Sequence, residues 1–128
     1  MVYNVLIVDD DPAISDMIEA IITDCSKQPV NVTVCRNGTE ALAARGTRQY
    51  DLITLDNDMT TEGEGLETLP KIRSLEDELK RSPAPVYLIS ATSDPNIKTK
   101  AKAAGATDFV KKPFEIDTIE ALVSKYLP

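Results

Sequence analysis

Four short apolar runs each end on a polar residue. Val5-Leu6-Ile7-Val8 runs into Asp9-Asp10, and Leu52-Ile53-Thr54-Leu55 runs into Asp56. Val86-Tyr87-Leu88-Ile89 runs into Ser90, and Asp108-Phe109-Val110 runs into Lys111-Lys112-Pro113. Bounded apolar runs of this length, separated by helical stretches, read as strands buried on both faces. A shorter alternating segment, Val30 to Val34, supplies one more strand. Between the strands the apolar spacing becomes helical. The first helix takes Asp11 as N-cap and Pro12 at its first position, with Ile14, Ile18, Ile21, Ile22 and Cys25 on its inner face. Asn37-Gly38 turns into a second helix through Ala41 and Leu42. After a loop from Thr60 to Gly65, a third helix carries Leu66, Leu69, Ile72, Leu75 and Leu79, and Ser82-Pro83 closes it. Pro70 falls inside that pattern and predicts a kink or a restart. A fourth helix opens at Asp94-Pro95, runs through Ile97, Ala101 and Ala104, and stops at Gly105. The fifth carries Ile116, Ile119, Leu122, Val123 and Tyr126 on its inner face.

An alternating pattern of this kind predicts an α/β fold, a doubly wound parallel sheet with helices on both faces. In such sheets ligands bind outside the carboxyl ends of the strands. Four strands would therefore deliver acid, acid, hydroxyl and amine to one edge, the outline of a phosphoryl-transfer site. The 128 residues fit one domain, 1–128, with a sizeable core.

Composition narrows the chemistry. A net charge of -7 argues against a nucleic-acid surface. No apolar stretch is long enough to cross a bilayer, and Met1-Val2-Tyr3-Asn4 lacks the features of a signal peptide, which predicts a cytoplasmic chain with no membrane partner. Cys25 and Cys35 lack metal or redox spacing and read as reduced thiols. The sequence contains no histidine. That excludes Ser-His-Asp and Cys-His catalysis and His-ligated zinc, and any phosphohistidine must belong to a partner.

The segments Leu6-Ile7-Val8-Asp9-Asp10, Asp51-Leu52-Ile53-Thr54-Leu55-Asp56, Ile89-Ser90-Ala91 and Lys112-Pro113-Phe114 resemble the receiver domain of bacterial two-component response regulators. The similarity extends through Asn37-Gly38-Thr39-Glu40-Ala41-Leu42 and Gly105-Ala106-Thr107-Asp108. Singly these motifs are weak, but all four in order at strand ends are specific. The resemblance implies a flavodoxin-like (CheY-like) sheet in the order 2-1-3-4-5 with five helices. It implies Asp56 as phosphoacceptor, supplied by a sensor histidine kinase or phosphotransfer protein. Mg²⁺ would bind Asp10 and Asp56 directly, Asp9 through a water, and the backbone carbonyl of Asp58. Ser90 and Lys112 would contact the phosphoryl oxygens, and Phe109 would be the switch aromatic. The Lys112–Pro113 bond would be cis. An output domain or target protein would read the face formed by the fourth helix, fifth strand and fifth helix. The domain would catalyse only its own phosphorylation and dephosphorylation.

The side chain of Asp58 is expected to project toward the approach path of the hydrolytic water and tune phosphoryl lifetime. Three clustered carboxylates should leave at least one with a raised pKa. The chain departs from the family at Thr60, where proline is usual, in a slightly longer Thr60–Gly65 loop, and in an enlarged interval near Glu76–Ala84. Asp56-Asn57-Asp58-Met59-Thr60 also matches the D-x-D-x-T signature of haloacid-dehalogenase-type phosphatases. Those enzymes place the nucleophile on the first strand and the acidic pair last, the reverse of the order here. A third alternative is a receiver-like binding module that is never phosphorylated.

Overall fold

The computed structural model describes residues 1–128. Its strands are β1 (Tyr3–Val8), β2 (Val30–Cys35), β3 (Leu52–Asp56), β4 (Val86–Ser90) and β5 (Asp108–Lys111). Its helices are α1 (Pro12–Cys25), α2 (Gly38–Thr47), α3 (Glu64–Glu78), α4 (Ile97–Ala104) and α5 (Ile116–Tyr126). All strand pairs are parallel, and the sheet order is β2-β1-β3-β4-β5, as expected.

Alternation along the strands builds two cores from one sheet. Val5, Ile7, Leu52, Tyr87 and Ile89 point to one face, where Ile18, Ile21, Ile22, Ile119, Leu122 and Val123 of α1 and α5 cover them. Leu6, Val8, Ile53, Leu55, Val86 and Leu88 point to the other, beneath Ala41, Leu69, Ile72, Ile97 and Ala101 of α2, α3 and α4. No helix is long and apolar enough to cross a membrane. Cys25 and Cys35 are free thiols, the first half-buried and the second buried.

Several helix details differ from the sequence expectation. α3 runs through Pro70 as one helix, so there is no restart. Pro70 is exposed, where water can serve the carbonyl left without an intrahelical donor. Its buried face is Gly65, Thr68, Leu69, Ile72 and Glu76, whereas Leu79 is exposed. α4 begins at Ile97 rather than at Asp94-Pro95. The Asp94 side chain instead accepts from the Asn96 N–H at 2.8 Å, a local turn that competes with helix. Ile116, expected on the inner face of α5, is exposed.

A polar network underlies the α2–α3 contact. Arg45 is fully buried, and its guanidinium donates to Glu76 Oε2 at 2.8 and 3.0 Å. It also donates to the carbonyls of Arg48 and Ser82, each at 3.0 Å. Glu76 accepts further from Arg73 Nη1 at 2.8 Å and from the Ala84 N–H at 2.9 Å. Burial alone would push the Glu76 carboxyl up, but the Ala84 N–H and the guanidinium groups of Arg73 and Arg45 outweigh it and hold it low. Removing one member of a buried pair leaves an uncompensated charge, which typically costs ~3–5 kcal/mol. Glu76→Gln should therefore lose about 3 kcal/mol in urea unfolding near neutral pH. A depressed carboxyl stabilises the fold above its ordinary value of 4.5 and loses that contribution as pH falls through the lower folded value, so the parent–variant gap should close in acid.

Candidate phosphoryl-transfer site

The parallel register carries β1, β3 and β4 to one edge, where each strand hands over a polar side chain. Asp9 follows β1 directly and is buried, and its Oδ1 accepts from the Asp11 N–H at 2.9 Å. Asp11 also caps α1 by accepting from the Ala13 N–H at 2.9 Å. Asp10 is exposed. Asp56 ends β3 and is buried, with Oδ1 accepting from the Asp58 N–H at 3.1 Å. Carboxylate oxygens of Asp9, Asp10 and Asp56 all lie within 4.8 Å of one another.

Positive charge enters from β5. The Lys112 ammonium sits 3.2 Å from Asp56 Oδ1 and 3.7 Å from Asp9 Oδ2. Its backbone N–H donates to the Ser90 carbonyl at 2.9 Å, tying the ends of β4 and β5 together. The Lys112–Pro113 bond is cis. Ser90 ends β4 and is fully buried. Its hydroxyl donates to Asp58 Oδ2 at 2.8 Å and accepts from the Thr92 N–H at 3.1 Å. Asp58, expected to face the hydrolytic water, thus presents one carboxylate oxygen to Ser90. Phe109 is half-buried and packs against the α2–α3–α4 core.

Close backbone packing holds the loop after Asp56 in place. The Asn57 carbonyl accepts from the Gly65 N–H at 3.2 Å, and its side-chain oxygen accepts from the Leu66 N–H at 2.9 Å. A Cβ on Gly65 would lie 2.6 Å from the Asp56 carbonyl oxygen and 2.7 Å from Asn57 Cα, so only glycine lets α3 start there. Asn57 was not anticipated from the sequence. Neither was Arg36, whose Nη1 donates to the Asp9 carbonyl at 3.1 Å and to Ser15 Oγ at 2.9 Å. The available signal was its position just past β2, at the same sheet edge as the acids.

Burial pushes the Asp56 carboxyl up, the Asp58 N–H pulls it back, the Asp9 charge raises it again and Lys112 lowers it; the outcome is about 6. The donor set suits a hard divalent cation: three carboxylates converge with a single ammonium between two of them. The arrangement can therefore present a carboxylate nucleophile, a cation site and two donors for an incoming oxyanion.

A doubly wound sheet with this edge chemistry defines a phosphoacceptor class of signalling domain, and the comparisons agree. The model of the response regulator receiver domain matches residues 5–124, and the chain belongs to that family. It is 31% identical over 116 residues to the probable transcriptional regulatory protein TcrX of Mycobacterium tuberculosis, covering 91% of this chain and 46% of that protein. The chain spans about half the length, or less, of the first curated relatives it matches. The receiver domain of the Francisella response regulator 1452 superposes with a TM-score of 0.80 at 28% identity, covering 98% of this chain and 96% of that one. A chain in the co-crystal structure of the Saccharomyces cerevisiae histidine phosphotransfer signaling protein Ypd1 with the receiver domain of its downstream response regulator Ssk1 matches at TM-score 0.84 and 21% identity, covering 98% and 88%. Receiver domains are generally non-enzymatic phosphoacceptors that bind Mg²⁺ at an acidic pocket and work with histidine kinases or phosphotransfer proteins.

The raised Asp56 value yields a prediction for the metal-free protein. Its folded value of about 6 lies above the ordinary 3.8, so the ionised carboxylate destabilises the fold above about pH 6, and that penalty fades as pH falls toward 3.8. Asp56→Asn should therefore be more stable than the parent above neutrality by about 1–3 kcal/mol. The gain should shrink steadily between pH 6 and 3.8 in urea or thermal unfolding. A gain that persists unchanged into acid would disprove the electrostatic origin.

Proposed function

We propose that this chain accepts a phosphoryl group on Asp56 from the phosphohistidine of a sensor kinase or phosphotransfer protein, and supplies most of the catalytic groups itself. The observation that carries this reading is the convergence of Asp9, Asp10, Asp56 and Lys112 at one sheet edge, with Lys112 Nζ 3.2 Å from the Asp56 carboxylate. An Asp56 oxygen forms the new P–O bond as the donor's P–N bond breaks, and the released electron pair passes to the partner's imidazole, which takes a proton from solvent. The Lys112 ammonium and the Ser90 hydroxyl then meet the phosphoryl oxygens. Asp10, Asp56 and the Asp58 carbonyl would hold Mg²⁺ directly, with Asp9 acting through water. When bound, the ion supplies charge neutralisation between carboxylates and phosphoryl oxygens. The same groups serve the later attack of water, so the domain times its own dephosphorylation without turning over a separate substrate.

An apolar rim beside the site supports a protein donor. A cavity of about 420 Å³ lined by Ile14, Met17, Ala91, Lys112, Pro113 and Phe114 opens beside the site lysine, and Met17 is exposed. A phosphohistidine-bearing protein partner seated there would cover the apolar side chains of this cavity while reaching Asp56. Output would pass through α4, β5 and α5 to a further domain or target protein. We place the chain in the cytoplasm, where its kinase partners would be.

The phosphatase alternative has less support. The acidic pair precedes the nucleophile in the chain, and the family match covers both.

Acetyl phosphate with Mg²⁺ should add one phosphoryl group, read by intact-protein mass spectrometry and mapped to Asp56. Asp56→Asn and excess chelator should each abolish it, because an amide is not a competent nucleophile and the charge is otherwise uncompensated. Lys112→Ala should slow labelling by about 10²-fold or more, the usual cost of an electrostatic donor. Full labelling of Asp56→Asn would move the site elsewhere.

A further inference from the structure

A serine hydroxyl has one proton to donate. In this fold that proton is already committed. Ser90 is fully buried, donates to Asp58 Oδ2 at 2.8 Å, and uses a lone pair to accept from the Thr92 N–H at 3.1 Å. A phosphoryl group on Asp56 could take the Ser90 proton only by displacing Asp58. The two claimants are both anionic and both lie at the same sheet edge, so they compete rather than share.

We propose that the Asp58 carboxylate is a latch: it holds the Ser90 hydroxyl in the resting position and sets how strongly the site must bind a phosphoryl group to switch. The inference rests on the reading of Asp56 as phosphoacceptor. Asp58 is a positioning residue here, acting on phosphoryl binding through Ser90.

The local structure is built for such an exchange. The Asp58 backbone N–H donates to Asp56 Oδ1 at 3.1 Å, so the residue that engages Ser90 is itself hydrogen-bonded to the nucleophile. A new substituent on Asp56 therefore disturbs the latch at its root. On the far side, Ser90 is wired to α4. Its Oγ accepts from Thr92, whose Oγ1 accepts from the Asp94 N–H at 3.2 Å. Asp94 accepts from the Asn96 N–H at 2.8 Å and pairs with Lys100 Nζ at 2.7 Å. Release of Ser90 from Asp58 thus acts on a hydrogen-bonded chain that ends in the first turns of α4.

Beryllofluoride, a phosphoryl mimic, tests this when titrated with Mg²⁺ and followed by ¹⁹F NMR. Parent, Asp58→Ala, Asp58→Asn, Ser90→Ala and the Asp58→Ala/Ser90→Ala double variant are compared. Loss of a hydrogen bond to a charged group predicts about tenfold tighter binding by Asp58→Ala. Asp58→Asn keeps an acceptor oxygen without the charge and should gain clearly less. The gain from Asp58→Ala should fall at least about threefold in the Ser90→Ala background, because the latch then holds nothing. A smaller fall, or equal gains for Asn and Ala, means that Asp58 merely repels the anion, and the latch is wrong. An independent readout needs no ligand. In ¹H–¹⁵N spectra of the metal-free protein, Asp58→Ala should shift the Thr92 amide, which donates to Ser90; an unmoved Thr92 resonance would also overturn the proposal. If the parent binds no beryllofluoride at all, the Asp56 assignment fails and takes the latch with it. If the parent binds and only the Asp58 contrasts vanish, the receiver reading stands without the latch.

Discussion

One ammonium group balances the charge at the working edge of this molecule. A parallel sheet necessarily gathers the carboxyl ends of its strands, and here two of them bring Asp9 and Asp56 into burial. Two anions this close repel strongly, and water cannot screen them well. Lys112, 3.2 and 3.7 Å from their oxygens, is the cation between them. It arrives from β5, across β4 from the acids, and its backbone is hydrogen-bonded to Ser90. The edge therefore coheres only when β1, β3, β4 and β5 are in place, which makes the site a property of four strands together.

That balance is incomplete, and the shortfall is informative. One ammonium cannot neutralise three carboxylates; burial first, and then the Asp9 charge, raise the Asp56 carboxyl to about 6 against the pull of the Asp58 N–H and Lys112. A divalent cation would remove the residual repulsion and leave Lys112 free to meet an incoming oxyanion. Excess negative charge at this edge would favour a divalent cation there. The same edge costs the fold stability whenever the buried Asp56 is ionised.

Much of this was legible in the sequence because it depends on period and order. Apolar runs ending in Asp9, Asp56, Ser90 and Lys112 locate the strands and, through sheet chirality, the edge. Helix interiors were harder. Glu76 sits four residues after Ile72 and Arg45 four after Ala41, each in line with a buried apolar position. A charge in a core stripe was the available signal, but only tertiary packing shows that the two meet. Leu79 and Ile116 fit their helical patterns and are exposed, since each stands at a helix end beyond the reach of the sheet. The Ser90–Asp58 hydrogen bond was invisible in sequence, because it depends on the orientation of a loop side chain.

The buried arginine cluster gives β4 an uneven character along its length. Just before the strand, the Ala84 N–H is fixed to Glu76, and Arg73 holds the Ala84 carbonyl at 2.9 Å. At the other end, the Ser90 backbone is tied to the end of β5 through the Lys112 N–H, and only the Ser90 hydroxyl has exchangeable partners. Mechanically, β4 is a beam held at both ends, and what can exchange where it meets the site is a side-chain contact alone. A change of partner at that hydroxyl would leave the strand itself in place, so the scaffold would be spared deformation.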